Sequence, residues 1–525
     1  MKMRALLAAV AITGLVAVTV VADESEKIGQ VRFAVSCNAA VQKPFERAVA
    51  LLHSFWYLEA SKAFAAIAET DPDCAMAYWG LAMSNWTQIW SPPPPPALKR
   101  GREAVEKAKS AKAGTPREQD FVAAAEAFFK NADTLDHRTR ASAYGKKMAE
   151  MAQRYPGDRE VLAFYALSLQ ATADPHDKTY ANQKKSAEIA EKIFAAEPDH
   201  PGAAHYIIHG YDYPPLAAKG LPAARRYAQF APSVPHALHM PSHIYVLLGM
   251  WPETIQSNLA ASAAEKDRGN PDDRMHALDY LMYGYLQQAQ DAQAKRVLDE
   301  ARGIMGDLAA RKYDSGRPTA HFAMAAIEAR WAMERGQWGE AAAIEPRPNR
   351  FPHTESMIYF ARAIGAARSG DAPRARADVD RLATLKDAMK DPYWAEQIEI
   401  QRRAAAAWTA RAEGKAEDGF ALMRSAVELE AATEKHNITP GPIVTARELQ
   451  ADMLMDAGQP APAAHVYEAS LRVAPNRFKS LSGAGRAFER AGDRERAKSS
   501  YAKLLTTAAS ADTERPEIRE ARAFR

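Results

Sequence analysis

From Pro44 onward the apolar positions of this chain recur with the spacing of amphipathic helices, and few segments alternate as a half-buried strand does. Alanine is abundant, while valine and isoleucine are sparse beyond the first 22 residues, which favours helix throughout. The pattern also repeats. Ala60, Phe64 and Pro72 stand at offsets 0, 4 and 12, and Ala463, Tyr467 and Pro475 have the same offsets. Leu481, Gly485, Phe488, Ala497 and Tyr501 follow the second group, with Ala497 lying 34 residues after Ala463. Small residues at Gly485 and Ala497 let two antiparallel helices approach closely, and Phe488 and Tyr501 fill the space between them. A proline closes the unit because it cannot donate the next helical hydrogen bond. Such joints recur at Pro72, Pro156, Pro198, Pro232 and Pro475. Turns between helices fall at Gly249-Met250-Trp251, Gly336-Gln337-Trp338, Gly370-Asp371 and Gly492-Asp493.

A helix-turn-helix unit of 34 residues with this placement of small and aromatic residues resembles the tetratricopeptide repeat. The expected fold is all-α: roughly eight to ten antiparallel helix pairs stacked into one continuous superhelix or closed ring. The array should span residues 44–510, with an N-terminal lead at 23–43 and a polar, fraying tail at 511–525. Residues 91–96 (SPPPPP) read as an extended, solvated connection. Pro346, Pro348 and Pro352, and residues 439–442 (TPGP), mark irregular joints. Trp79, Trp86, Trp90 and Trp251 read as core packing. The stretches HPGAAHYIIHGYDYP, APSVPHALHMPSHI and DPDCAMAYWGLAMS are similar to a widespread group of exported bacterial tetratricopeptide-like proteins with no settled biochemical function. That similarity runs from about Cys37 to Leu505.

Residues 1–22 read as a signal peptide, with Lys2 and Arg4 ahead of an apolar run and Val20-Val21-Ala22 at the cleavage site; an uncleaved anchor is the competing reading, since the run is only just long enough to span a bilayer. The mature chain is then expected in the periplasm or outside the cell, with no further membrane span. Cleavage removes two of 68 basic residues against 65 acidic ones, so the formal charge falls from +3 to +1. A near-neutral chain offers no electrostatic reason to invoke nucleic acid. Cys37 and Cys74 are the two cysteines. In an oxidising compartment they can form one structural disulfide; two buried thiols are the competing reading.

Chemistry concentrates in one place. Five of the 14 histidines, His205, His209, His236, His239 and His243, lie between residues 205 and 243. Taking the joint proline as origin, His205 and His239 are both at position 7, and His209 and His243 both at position 11. Other units hold Trp79 and Met83, Ala163 and Leu167, or Ser482 and Arg486 at these positions, so the repeat itself does not require histidine. The resemblance implies that both positions face the concave groove. Residues four apart share one helix face, and packed helices lie about 8–10 Å apart. Imidazoles from both helices could therefore converge on one ion at the usual Zn–N distance of about 2.0–2.1 Å. His236, Met240 and Asp212 are further candidate ligands, as are His276 and Asp279, which are spaced like His236 and His239. Pro241 inside the second pair should kink or restart its helix.

No HExxH, GxSxG, phosphate-loop or CxxCH motif is present. Glu430, Glu434 and His436 form a polar group that a solvated helix end explains equally well. The expected function is therefore binding: a scaffold with a histidine-rich site that takes zinc or copper and accepts a peptide, protein or small ligand in its groove. Two readings stay open beside it. One is an enzyme using metal-bound water or a histidine base, His209 or His243. The other is a metal-free protein–protein adaptor.

Overall fold

The joint prolines occupy one constant place. Pro72, Pro156, Pro198, Pro232 and Pro475 each stand two residues after a helix ends, at Thr70, Arg154, Ala196, Phe230 and Val473. Each also stands three residues before the next helix begins, at Ala75, Arg159, Pro201, Pro235 and Phe478. The proline stops one helix, and the turn after it starts the next in constant phase.

The computed structural model describes residues 26–111 and 114–524. The signal-peptide expectation lies outside the described residues. Within them every regular element is a helix, and consecutive helices pack as antiparallel pairs. Small residues permit the close approaches, at Gly485 as expected and at Gly80 as well. A β-carbon on Gly80 would overlap the Phe64 ring, and one on Gly485 would lie 2.5 Å from the Tyr501 ring. No described helix is long and apolar enough to cross a membrane.

The array folds back on itself, so that side chains of distant repeats meet. Trp251 Nε1 donates to the Asn476 carbonyl at 2.8 Å, and Lys178 Nζ reaches Glu434 at 2.7 Å. The buried Arg477 guanidinium clamps Glu448 at 2.9 and 2.7 Å and Glu334 at 2.7 Å. These bonds join segments up to 256 residues apart.

Three segments depart from expectation. The lead is core: Ile28, Val31 and Phe33 are buried, and Phe33 packs edge-on against Phe45 at 5.2 Å. Its short irregular span carries no periodicity to announce this. The tail does not fray as a whole: Pro516–Ala523 is a helix that buries Ile518 and Ala521, and Arg515 pairs with Asp291. Two apolar residues one turn apart suffice to dock a helix that is otherwise polar. In the proline run, Pro95 and Pro96 open the helix Pro95–Ser110, because the first helical positions need no N–H donor. Cys37 and Cys74 form a disulfide with Cα atoms 5.0 Å apart, so the two-thiol alternative falls.

Candidate metal centre

The helix Pro201–Tyr211 carries His205 and His209 one turn apart. The second pair is built differently. At Pro241 the chain ends one helix, Pro235–His239, and starts another, Pro241–Leu247, with Met240 capping both. Met240 keeps right-handed helical angles, φ −54° and ψ −36°, so the break does not turn His243 away from His239. Their ring centroids lie 5.0 Å apart, against 4.8 Å for His205 and His209. The pairs meet where the His209 and His243 rings come within 5.6 Å.

His236 stands 4.9 Å from His205, and His276, on the helix Pro271–Gln287, stands 4.4 Å from His239. The four predicted imidazoles thus lie together but do not gather around one point. They divide into two sets, His205/His209/His236 and His239/His243/His276. Within each set one ring nitrogen per residue lies within 4.8 Å of the others. His236 and His276 are half-buried and the other four are buried. Burial holds all six below the ordinary imidazole value, His205 at about 3 and His239 at about 4. They are neutral at physiological pH.

Hydrogen bonds assign the ring protons. Asn258 Nδ2 donates to the Thr254 carbonyl at 2.8 Å, so its Oδ1 is the acceptor facing His239 Nδ1 at 2.7 Å. His243 Nδ1 donates to Asp212 Oδ2 at 2.9 Å, and His205 Nδ1 donates to the His53 carbonyl at 2.7 Å. A neutral imidazole holds one ring proton, so Nε2 of all three is a bare lone pair. The Nε2 atoms of His239 and His243 face each other at 3.0 Å. Two lone pairs at that distance repel unless a cation is shared between them. The Tyr280 hydroxyl, 3.4 Å from both nitrogens of His243, is too distant to neutralise either. Tetrahedral metal sites place their ligand nitrogens about 3.3 Å apart, given Zn–N distances of about 2.0–2.1 Å.

The neighbouring cluster of His53, Glu160 and His200 shows the opposite condition. His200 Nδ1 accepts from the Ala203 N–H at 3.1 Å, which leaves Nε2 to donate to Glu160 at 3.0 Å. His53 Nε2 donates to the same carboxylate at 2.8 Å, and its Nδ1 accepts from the Tyr206 hydroxyl at 2.8 Å. Burial pushes the Glu160 carboxyl up, but the two imidazoles outweigh it and hold it at about 2. Every nitrogen has a complementary partner, so this cluster is a satisfied structural network.

Asp212 is buried and accepts from both His243 and Lys435 Nζ, the latter at 2.8 Å. Burial pushes its carboxyl up to about 6 against the pull of Lys435. Its Oδ1 and both ring nitrogens of His209 are buried with no hydrogen-bond partner. A cavity of about 50 Å³ adjoins the imidazoles, lined by His209, His236, His243, His276, Asn437 and Ile438 among others. Phe55 and Gln88 also line it, and both hold left-handed backbone angles, φ 54° and 51°, that non-glycine residues rarely adopt. The Phe55 ring covers His205 at 4.3 Å, and Trp90 stacks edge-on to His209 at 4.8 Å. Trp90 therefore belongs to this site, whereas Trp79, Trp86 and Trp251 are buried in the core as expected.

Nothing matches this chain among protein-family models or curated proteins. Among solved structures it is similar to the human IFIT1 dimer with m7Gppp-AAAA, at TM-score 0.41 and 12% identity, over 83% of this chain and 90% of that one. It is also similar to a tetratricopeptide repeat protein from Parabacteroides merdae, at TM-score 0.30 and 14% identity, over 55% of this chain and 96% of that one. A third similarity is to the APC/C hetero-tetramer Cut9-Hcn1, at TM-score 0.32 and 10% identity, over 91% and 83% of the chains. The fold is tetratricopeptide-like. The in-phase helix pairs and the 34-residue spacing establish that from within the chain.

Other expected site residues lie elsewhere. Met240 is buried in the main hydrophobic core. Asp279 pairs with Arg330 at 3.1 Å, and that guanidinium also binds the carbonyls of Gly441 and Pro442, so Asp279 anchors the 439–442 joint. Glu430, Glu434 and His436 are not a solvated helix end. Glu430 and Glu434 line a second cavity of about 350 Å³ with Tyr180, Phe322, Tyr393 and Trp394, and His436 packs 4.9 Å from Trp394. Lys435 also lines that cavity while its ammonium group reaches Asp212. Asn258, Lys435 and the His53 carbonyl carry no pattern in the sequence that would mark them for this site. Only packing brings them to it.

Proposed function

We propose that this chain is a helical-repeat binding scaffold whose histidine centre holds a transition-metal ion, zinc or copper. One observation carries the reading: the bare Nε2 lone pairs of His239 and His243 face each other at 3.0 Å. Their Nδ1–H groups are held by Asn258 and Asp212, the outer-shell arrangement that orients metal-binding imidazoles. All-imidazole donors suit zinc and copper alike. The 350 Å³ cavity is the place for an organic ligand or a partner side chain, since the cavity at the imidazoles, about 50 Å³, has room only for ions and a few waters. Export to the periplasm or exterior belongs to the same proposal. It rests on the basic and apolar run of residues 1–22, and the Cys37–Cys74 disulfide fits an oxidising compartment.

The test uses protein purified without a His tag, stripped with chelator, and reconstituted separately with zinc and copper. Elemental analysis should find bound metal in the wild type and at least one equivalent fewer in His239→Ala/His243→Ala. Equal metal content in the two proteins overturns the reading. A three-imidazole set beside a space that admits water favours a second reading, a metal-dependent enzyme, because catalytic ions keep one position open. That reading requires a turnover that appears on metal loading and disappears in His243→Ala.

A further inference from the structure

We infer that the centre is binuclear, with one ion held by His239, His243 and His276 and a second by His205, His209 and His236. The inference rests on the metal reading above and extends it. Six imidazoles exceed the four-coordinate shell usual for zinc, and the side chains are already sorted into two sets of three.

His236 is free to carry a proton on Nε2, so its 3.2 Å contact with the bare Nε2 of His205 needs no cation. The decisive residue is His209. Both of its ring nitrogens are buried without a partner, although a neutral imidazole has one donor and one acceptor to satisfy. An ion in the first set alone leaves His209 in that state. An ion bound with His205 and His236 takes its lone pair.

Asp212 links the sets. One of its carboxylate oxygens lies within 4.8 Å of ring nitrogens of both His209 and His243, one imidazole from each set. Its Oδ1 is buried and unpartnered. A carboxylate there offsets positive charge between two ions. The cavity of about 50 Å³ beside four of the imidazoles also admits a bridging water or hydroxide. Asp273 lines the same space and adds negative charge, while Arg317 and Lys435 oppose it.

Metal stoichiometry tests the inference on the full chain without a His tag, stripped and then loaded with zinc or copper(II). Two equivalents are expected in the wild type. One should remain in His205→Ala/His236→Ala and one in His239→Ala/His243→Ala. A single equivalent in the wild type, lost from the second variant and untouched in the first, overturns the pair and leaves the single-ion reading standing. No metal in any protein overturns both. If the His205→Ala/His236→Ala variant fails to fold, the half-buried His236→Gln takes its place, with weakened second-equivalent binding expected. Electron paramagnetic resonance supplies a readout independent of variants. Two neighbouring copper(II) ions couple magnetically, so the spin count should fall below the copper content. Two equivalents giving full, uncoupled intensity would overturn the pair.

Discussion

Replacing Asn258 by leucine tests the proton assignment at the centre without touching a ligand. Asn258 is fully buried, and its Oδ1 is the acceptor that holds the proton of His239 on Nδ1. Its Nδ2 donates only to the Thr254 carbonyl one turn back, so losing that bond costs little. Leucine keeps the same number of side-chain heavy atoms and the same branching, with somewhat larger methyl groups. Without the acceptor, the His239 proton moves to Nε2 and donates to His243 Nε2 across the 3.0 Å gap. The metal-free protein exchanges one hydrogen bond for another, and its Tm should change by no more than a few degrees. The lone pair proposed to take the metal, however, is now masked by a proton. Losing such an outer-shell partner typically lowers metal affinity about 10–100-fold, equivalent to about 1.4–2.7 kcal/mol. The assay is a competition titration of stripped protein against a chromophoric chelator at pH 7.5. Asn258→Asp restores the acceptor and should bind at least as tightly as wild type. Wild-type affinity in Asn258→Leu, or equal losses in both variants, would refute the assignment.

Three further outcomes are expected from residues away from the imidazoles. Burial pushes the Glu430 carboxyl up to about 7, although it accepts from the Ala446 N–H, so the folded state favours its protonated form. The associated stability is fully present below about pH 4.5, the unfolded value, and is lost as pH rises through about 7. Glu430→Gln should therefore be more stable than wild type by about 1–3 kcal/mol at pH 8 and equal to it near pH 4, as read by urea unfolding; equal stability at pH 8 would count against the assignment. Arg477→Met strands the buried carboxylates of Glu448 and Glu334 and should cost roughly 3–5 kcal/mol in the same assay, with a loss under about 1 kcal/mol contradicting it. Replacing Cys37 and Cys74 together by serine should cost about 2–4 kcal/mol by opening the first loop. Dithiothreitol should destabilise the wild type by the same amount and leave the variant unchanged.

The all-α class, the helix joints and the clustering of the histidines were legible in the sequence, because each is set by local rules. A proline stops a helix wherever it stands, and two histidines four residues apart share a face whatever packs against them. Pro241 was legible in the same way, as a local break. Tertiary structure decided how the imidazoles are grouped and protonated. His239 owes its bare Nε2 to Asn258, His205 owes its own to the His53 carbonyl 152 residues away, and Asp212 answers to Lys435 across 223 residues. By sequence Asp212 and Asp279 are equal candidates. Packing set Asp212 among the imidazoles and gave Asp279 to Arg330. A helical period specifies which side of its own helix a residue occupies. It carries no information about which distant group will take the proton on the other side of the ring, and at this site that determines where a cation can bind.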